Sequence, residues 1–303
     1  MNDQPTVSVF ILTYNQQEVI EQTIQSILMQ QTSFPFQLVI GEDASTDSTA
    51  KICRSYASQH PQKIKLLTAE KNMGLIKNFL RTLKACDGQY VAICDGDDYW
   101  TDPQKLQKQV EFLEENKEYS IVYSLKKDLL PDGTFQKSKQ RIMPAITTFD
   151  DLVIDNYIPS VTALFRNKTI DAEPPSWIEN FPYGDWPLYL WTLLDGGKIY
   201  FMNEVTAVYR TELGASFALR RKMSDAIRVK LRILRFAASD EQFFFKKSSI
   251  NRSIETARDL LMRSYNKEHN YLKAVSVFVR IMLSKPSFRI IKMYFYTLYK
   301  SVA

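Results

Sequence analysis

Three carboxylates fall within four residues at Asp95-Gly96-Asp97-Asp98, directly after the apolar run Tyr90-Val91-Ala92-Ile93. Short, hard-oxygen side chains at Asp-x-Asp spacing suit Mg²⁺ or Mn²⁺ that keeps coordination positions open for substrate phosphates. Taken alone, the same residues read equally well as a solvated Asp/Gly turn. Three other polar clusters follow apolar runs in the same manner: Thr13-Tyr14-Asn15, Glu42-Asp43-Ala44-Ser45-Thr46-Asp47 and Glu70-Lys71-Asn72-Met73-Gly74. Further on, Asp185 stands before Trp186-Pro187, where a helix would start.

Those clusters need elements that bring them together. Apolar runs over 7–12, 36–40, 64–67 and 90–94 have strand length, and 19–28, 48–57 and 73–85 between them carry helical spacing or a helix cap. Strands alternating with helices in this way predict βαβ units and a mainly parallel sheet, an α/β fold. In such sheets ligands bind beyond the carboxyl ends of the strands, which is where all four clusters lie. Beyond them the pattern predicts a helix over 104–116, a strand over 120–124 and a surface loop or hairpin over 126–141. A strand over 159–165, a helix over 188–194 and strands over 199–201 and 205–209 follow. From about 216 the chain turns helical and basic, with helices over 226–238, 254–263, 271–283 and 288–300.

At 303 residues, with 45% hydrophobic and 24% charged residues, the chain is of globular composition and long enough for one large domain with an appendage. The net charge of +5 divides unevenly. Residues 1–214 carry 20 basic against 28 acidic residues, net −8, and 215–303 carry 19 against 6, net +13. The three cysteines lack metal-ligand spacing, and the N-terminal stretch has neither a basic start nor an apolar core, which predicts a reducing, cytoplasmic setting. No stretch approaches 18 uninterrupted apolar residues, so no membrane span is expected.

Taken in order, Val7-Ser8-Val9-Phe10-Ile11-Leu12-Thr13-Tyr14-Asn15, Glu42 to Asp47, Asn72-Met73-Gly74, Asp95-Gly96-Asp97-Asp98 and Gly184-Asp185-Trp186 resemble the family 2 glycosyltransferases, of bacterial cell-surface polysaccharide type. The resemblance covers roughly residues 6–215 and implies a GT-A fold, with a nucleotide-sugar half over 1–124, an acceptor half over 125–215 and a helical extension over 216–303. It also implies an inverting, metal-dependent transfer of a hexosyl type from a nucleoside-diphosphate sugar, UDP by preference, to a hydroxyl of a glycan or lipid-linked glycan. Carried over by position, Thr13, Tyr14, Asn15, Asp43 and Asn72 would bind the donor, with Asp43 accepting from a uracil-like imide N–H. Asp97 and Asp98 of the DxD region would hold Mn²⁺ or Mg²⁺, and Asp95 a ribose hydroxyl or metal-bound water. Asp185 would be the base that deprotonates the acceptor. Arg210 would meet the pyrophosphate in a late loop through Gly214-Ala215-Ser216. The chain departs from the pattern at Glu42, at Gly184 where the family has Glu, and in lacking the late-loop histidine; neither His60 nor His269 replaces it by position.

The basic extension admits an anionic membrane face, a nucleic acid, or plain packing on the catalytic domain or between subunits of a homo-oligomer. Phe243-Phe244-Phe245 and Met293-Tyr294-Phe295-Tyr296 supply interfacial anchors, which favours a peripheral position at the inner face of the cell membrane and no nucleic-acid partner. Two other functions compete with transfer: a sugar nucleotidyltransferase, which would want a Gly-rich basic loop where Thr13-Tyr14-Asn15-Gln16-Gln17 stands, and a non-catalytic nucleotide-sugar-binding membrane scaffold.

Overall fold

The computed structural model describes residues 5–136, 138, 140–213 and 222–302. Its chain divides into two compact units, Met1–Ala215 and Ser216–Ala303.

The first unit is an α/β body on a mixed, mostly parallel sheet. Strands β1 (Val7–Thr13), β2 (Phe36–Glu42), β3 (Ile64–Thr68) and β4 (Tyr90–Ile93) alternate with helices α1 (Ile20–Leu28), α2 (Thr49–Gln59) and α3 (Leu75–Lys84). All seven residues of β1 are buried, because helices cover both faces of a parallel sheet and leave no side of the strand to water. Val9 and Ile11 join Ile20, Ile24 and Leu106 in the core on one face, while Phe10 meets Phe79 of α3 edge-to-face at 5.2 Å on the other. Next come β5 (Tyr99–Trp100), α4 (Lys105–Glu115), β6 (Tyr119–Leu129), β7 (Phe135–Gln136), β8 (Ile146–Thr147) and α5 (Phe149–Leu152). β9 (Leu164–Arg166), α6 (Asp185–Thr192) and β10 (Lys198–Arg210) complete the unit. The sheet order is β3-β2-β1-β4-β9-β6-β10-β5, with β7 beside β6 and β8 beside β10.

Several boundaries differ from the sequence-based expectation. The run over 159–165 is a 3₁₀ turn at Ser160–Thr162 followed by the short β9, since an apolar run this brief does not itself specify a strand. The two strands expected over 199–209 are the single β10, whose register on β6 shifts between Met202 and Val205 and again before Ala207, so the polar Asn203-Glu204 falls at an irregularity. Residues 126–129 continue β6, and the turn at Pro131-Asp132-Gly133 leads into β7.

The second unit is all helix: α7 (Met223–Ser239), α8 (Lys247–Lys267), α9 (Tyr271–Ser284) and α10 (Phe288–Val302). Helix α8 packs on the other three, with Ile250, Ile254, Ala257 and Leu261 turned inward. Phe278 stacks on Tyr294 at 4.5 Å, and the buried Asn266 amide donates to Thr297 Oγ1 at 2.9 Å, which ties α10 to α8. Of the expected interfacial anchors, Phe243 and Tyr294 are buried instead, whereas Phe245 is 93% exposed. Among the described residues no helix is long and apolar enough to cross a membrane.

Candidate active site

Strand order reverses at β1, which pairs with β2 on one side and β4 on the other, and a reversal of this kind opens a crevice at the carboxyl ends of the two strands. The acidic loop is drawn into that crevice: the Gly96 N–H donates to Leu12 O at 2.9 Å. A Cβ at Gly96 would stand 2.3 Å from Gln16 Oε1 and 2.8 Å from Leu12 O, so the approach requires glycine. From α1, Thr23 Oγ1 lies within hydrogen-bond reach of Gly96 O at 3.0 Å and Asp98 O at 2.6 Å. Past the loop, Trp100 is anchored by its indole N–H to Val161 O at 2.8 Å and by the buried Lys105, whose ammonium sits 4.2 Å above the ring and donates to Gln109 Oε1 at 2.7 Å. Burial lowers the Lys105 pKa to about 7.

Asp98 is buried; its Oδ1 accepts from the Arg210 backbone N–H at 2.9 Å and its Oδ2 has no hydrogen-bond partner. Asp95 is half-buried and accepts from Ser160 Oγ at 3.3 Å. Burial, then the neighbouring charges of Asp97 and Asp185, push the Asp95 pKa up to about 7. Burial likewise raises Asp97 and Asp98, the latter also through Asp97 and Asp95. Such crowding leaves negative charge that the protein compensates incompletely, and the orphaned Asp98 oxygen is a hard donor without an acceptor role filled. A divalent cation fits this donor set. Among the described residues no three Asp, Glu, His or Cys side chains gather closely enough to enclose an ion, so the remaining ligands would have to be water and substrate oxygens, as suits Mg²⁺ or Mn²⁺.

Asp185 opens α6, where the helix dipole favours a carboxylate, and its Oδ2 accepts from the Asn156 amide at 2.9 Å. Burial raises both Asp95 and the buried Tyr189, and the charge of Asp185 adds to each shift. The residues 156–160 thus hold one member of each carboxylate group, Asn156 on Asp185 and Ser160 on Asp95. Neither was legible as a site residue, because the contacts span 29 and 65 residues and the segment has no periodicity.

The donor-side residues sort into open and engaged groups. Tyr14 is 44% exposed, and Thr13 Oγ1 is buried without a partner. Asn15, in the left-handed region at φ 51°, accepts from the Thr46 N–H at 2.8 Å and so clasps the loop after β1 to the loop after β2. Asp43 spends one lone pair of each oxygen on the N–H groups of Met73 and Gly74, both at 2.9 Å, while Asn72 donates to Asp43 O at 3.3 Å. Asp43 therefore staples the loop after β2 to the loop after β3. Arg210 likewise works inward: its guanidinium donates to Asp97 O and Gln22 Oε1 and lies 4.8 Å over the Tyr99 ring. Asn78, near enough in sequence to suggest a site role, bonds Gly41 O at 2.7 Å and Arg81 instead. The late-loop Gly214-Ala215-Ser216 lies outside the described residues.

Size alone does not locate the site. A cavity of about 540 Å³ lies at the opposite ends of β6 and β10, among Ser120, Lys168, Asp195 and Gly197, and one of about 210 Å³ adjoins Arg210, lined by Val19, Leu129, Pro131 and Leu213.

The model of the family described as glycosyl transferase family 2 matches residues 8–171, more than half of the chain. The chain belongs to glycosyl transferase family 2. An uncharacterized protein of Mycobacterium tuberculosis, Rv1520, is 34% identical over 209 residues, 67% of this chain and 58% of the relative. The chain thus spans little more than half the length of that mycobacterial relative. The putative teichuronic acid biosynthesis glycosyltransferase TuaG of Bacillus subtilis is 33% identical over 69% of this chain and 80% of its own. The Escherichia coli UDP-Glc:alpha-D-GlcNAc-diphosphoundecaprenol beta-1,3-glucosyltransferase WfaP is 29% identical over 71% of this chain and 81% of its own. Among solved structures, Staphylococcus aureus TarS with UDP superposes with a TM-score of 0.63 at 18% identity, covering 98% of this chain and 92% of that one. The Pyrobaculum calidifontis mannosyltransferase PcManGT, with GDP-Man and Mn²⁺, gives 0.58 at 15%, covering 99% and 81%. Both support a GT-A fold. Family 2 residues 8–171 include Thr13 to Asp98, whereas Asp185 and Arg210 lie beyond the match, so their places rest on the geometry above.

Gly184 stands where the resemblance implies Glu, and its packing leaves no room for a side chain. A Cβ there would come 2.6 Å from Phe79 Cε1 and 3.1 Å from Ile76 Cδ1, because α3 fills the space a side chain would need. Gly184→Glu is expected to cost about 1–3 kcal/mol in chemical denaturation through overpacking, without raising turnover. Unchanged stability would mean that α3 yields freely.

Proposed function

We propose that the chain transfers a hexosyl group, with inversion, from a nucleoside-diphosphate sugar, UDP being the favoured nucleotide, to a hydroxyl of a glycan carried on a lipid. The observation that carries this reading is that the segment 156–160 holds both Asp185, through Asn156, and Asp95, through Ser160, on the loop that carries the buried Asp97 and Asp98. WfaP takes a UDP-sugar and a diphosphoundecaprenol-linked acceptor by its name, and TarS is solved with UDP, which supports the choice of nucleotide and acceptor class. Residues 1–124 are assigned to the nucleotide and 125–215 to the acceptor.

Asp97 and Asp98 would hold Mn²⁺ or Mg²⁺; when bound, the ion neutralises charge gained by the departing diphosphate. Asp185 takes the proton of the acceptor hydroxyl as that oxygen bonds to the anomeric carbon from the face opposite the leaving group. The bond from that carbon to the diphosphate breaks and its electron pair leaves with the nucleotide. Asn156 orients the Asp185 carboxylate, and Ser160 orients Asp95 toward a ribose hydroxyl or metal-bound water. Tyr14 and Thr13 flank the base and ribose. Asp43, Asn15 and Asn72 contribute by fixing the loops that shape this pocket, and Arg210, which braces the acidic loop through Asp97 O, is assigned to the pyrophosphate.

A thermal-shift panel of UDP-, GDP- and dTDP-sugars tests the reading. A UDP-sugar at about a hundred times its Kd should add about 2.7 kcal/mol and raise Tm by several degrees with Mn²⁺ present, and far less with chelator. No shift with any nucleotide would contradict it.

A further inference from the structure

The second unit carries an apolar surface that its own packing does not use. On α9, Ala274 and Ile281 are buried, and Phe278 stacks on Tyr294 of α10, so that face is the helix's core contact. A separate stripe of Leu272, Val275, Val279 and Leu283, spaced three and four residues apart, points to solvent, with Leu272 87% and Leu283 81% exposed. Five residues on, Phe288 begins α10 at 81% exposure, and Phe295 and Tyr299 follow at intervals of seven and four on that helix. Monomeric proteins seldom leave so many large apolar side chains uncovered along one pair of helices.

Charge decides what covers them. After Glu268 the sequence has no acidic residue, while Lys273, Arg280, Lys285, Arg289, Lys292 and Lys300 all fall there. Lys285 and Arg289 turn to Glu255 and Asp259 of α8, at 3.0 and 3.2 Å. A second copy of the chain would bring one positive face onto another, at a cost from like charges. A nucleic acid would meet the lysines but leave Leu272, Leu283 and Phe288 in water. A bilayer with anionic headgroups satisfies both halves of the pattern, since hydrocarbon takes the stripe and headgroups take the cations.

We infer that the exposed faces of α9 and α10 dock the chain on an anionic phospholipid surface, lying in the interface without crossing it. The inference deepens the proposed function, in that a lipid-linked acceptor would be presented at that surface, but it is tested without turnover. Flotation of the full chain with vesicles of phosphatidylcholine alone, and with about one third phosphatidylglycerol, should recover protein only with the anionic vesicles, at least about tenfold above the neutral ones, and recovery should fall as salt rises. The double variant Leu272→Asp with Leu283→Asp should lose that recovery, as should Arg280→Glu with Lys292→Glu. Both pairs are exposed, so circular dichroism and the UDP-dependent thermal shift should stay as in the wild type. Equal recovery on neutral vesicles, or full recovery of both variants, would overturn the inference. So would a dimer in sedimentation velocity that the aspartate pair converts to monomer, which would assign the face to a second copy. Failure of flotation with an intact UDP-dependent shift would leave the transferase reading standing. The reverse pattern would remove that reading and keep the docking face.

Discussion

Asp185→Asn is expected to lower kcat by about 10²- to 10⁴-fold while leaving the donor thermal shift within error of the wild type. The substitution is isosteric, so the oxygen that accepts from Asn156 can remain, and the position on the first turn of α6 is kept. What disappears is the capacity to take a proton, and with it the negative charge that raises Asp95. Relief of that repulsion opposes the loss of a favourable charge at the start of α6, and an unchanged Tm alongside lost turnover would separate catalysis from unfolding. An activity within threefold of wild type would remove Asp185 as the base and direct attention to another acceptor-side group. Asn156→Ala should give an intermediate loss with donor affinity unchanged, because it frees the orientation of the carboxylate without removing it.

Asp97→Ala should abolish metal-supported turnover, by about 10³-fold or more, and should erase the difference between Mn²⁺ and chelator in the UDP-sugar thermal shift. Asp97 and Asp98 are buried beside the half-buried Asp95 and each is pushed toward its protonated form, so without a cation the cluster costs stability at neutral pH. Removing one carboxylate should therefore hold or raise the Tm of the ligand-free protein even as activity disappears, the pattern of a strained functional site. A variant both inactive and markedly less stable would indicate that Asp97 serves to hold the loop. A variant fully active in chelator would remove the metal from the reading.

Much of this arrangement was legible in the sequence, and the reasons are physical. Strands β1 to β4 read clearly because a parallel strand buried on both faces must be apolar throughout, and the intervening helices show their 3.6-residue spacing. The Asp95 cluster stood out as three carboxylates directly after an apolar run, and Asp185 through the family resemblance and its place before Trp186-Pro187. Less legible were features set by distant partners. β5 is only Tyr99-Trp100, and its existence depends on pairing with Ala207 and Val208 of β10. Asp43 and Arg210 were recognisable as functional types, yet their present contacts are the N–H groups of Met73 and Gly74, and Asp97 O with Gln22. Ser160 and Asn156 sit in irregular chain, where no periodicity marks which side chains turn inward. Gly184 appeared as a missing Glu, and only the position of Phe79 explains why glycine is there.

The most direct measurement is the identity of the product that leaves the nucleotide-sugar. With Mn²⁺ and the bound-nucleotide class found in the thermal panel, chromatography or ³¹P NMR should record release of nucleoside diphosphate, slow onto water and faster with a glycan acceptor, and its loss in Asp185→Asn and Asp97→Ala. Release of pyrophosphate, nucleoside monophosphate or sugar phosphate would contradict glycosyl transfer and point to nucleotidyl chemistry. Binding of the nucleotide-sugar with no product from any donor would contradict catalysis itself.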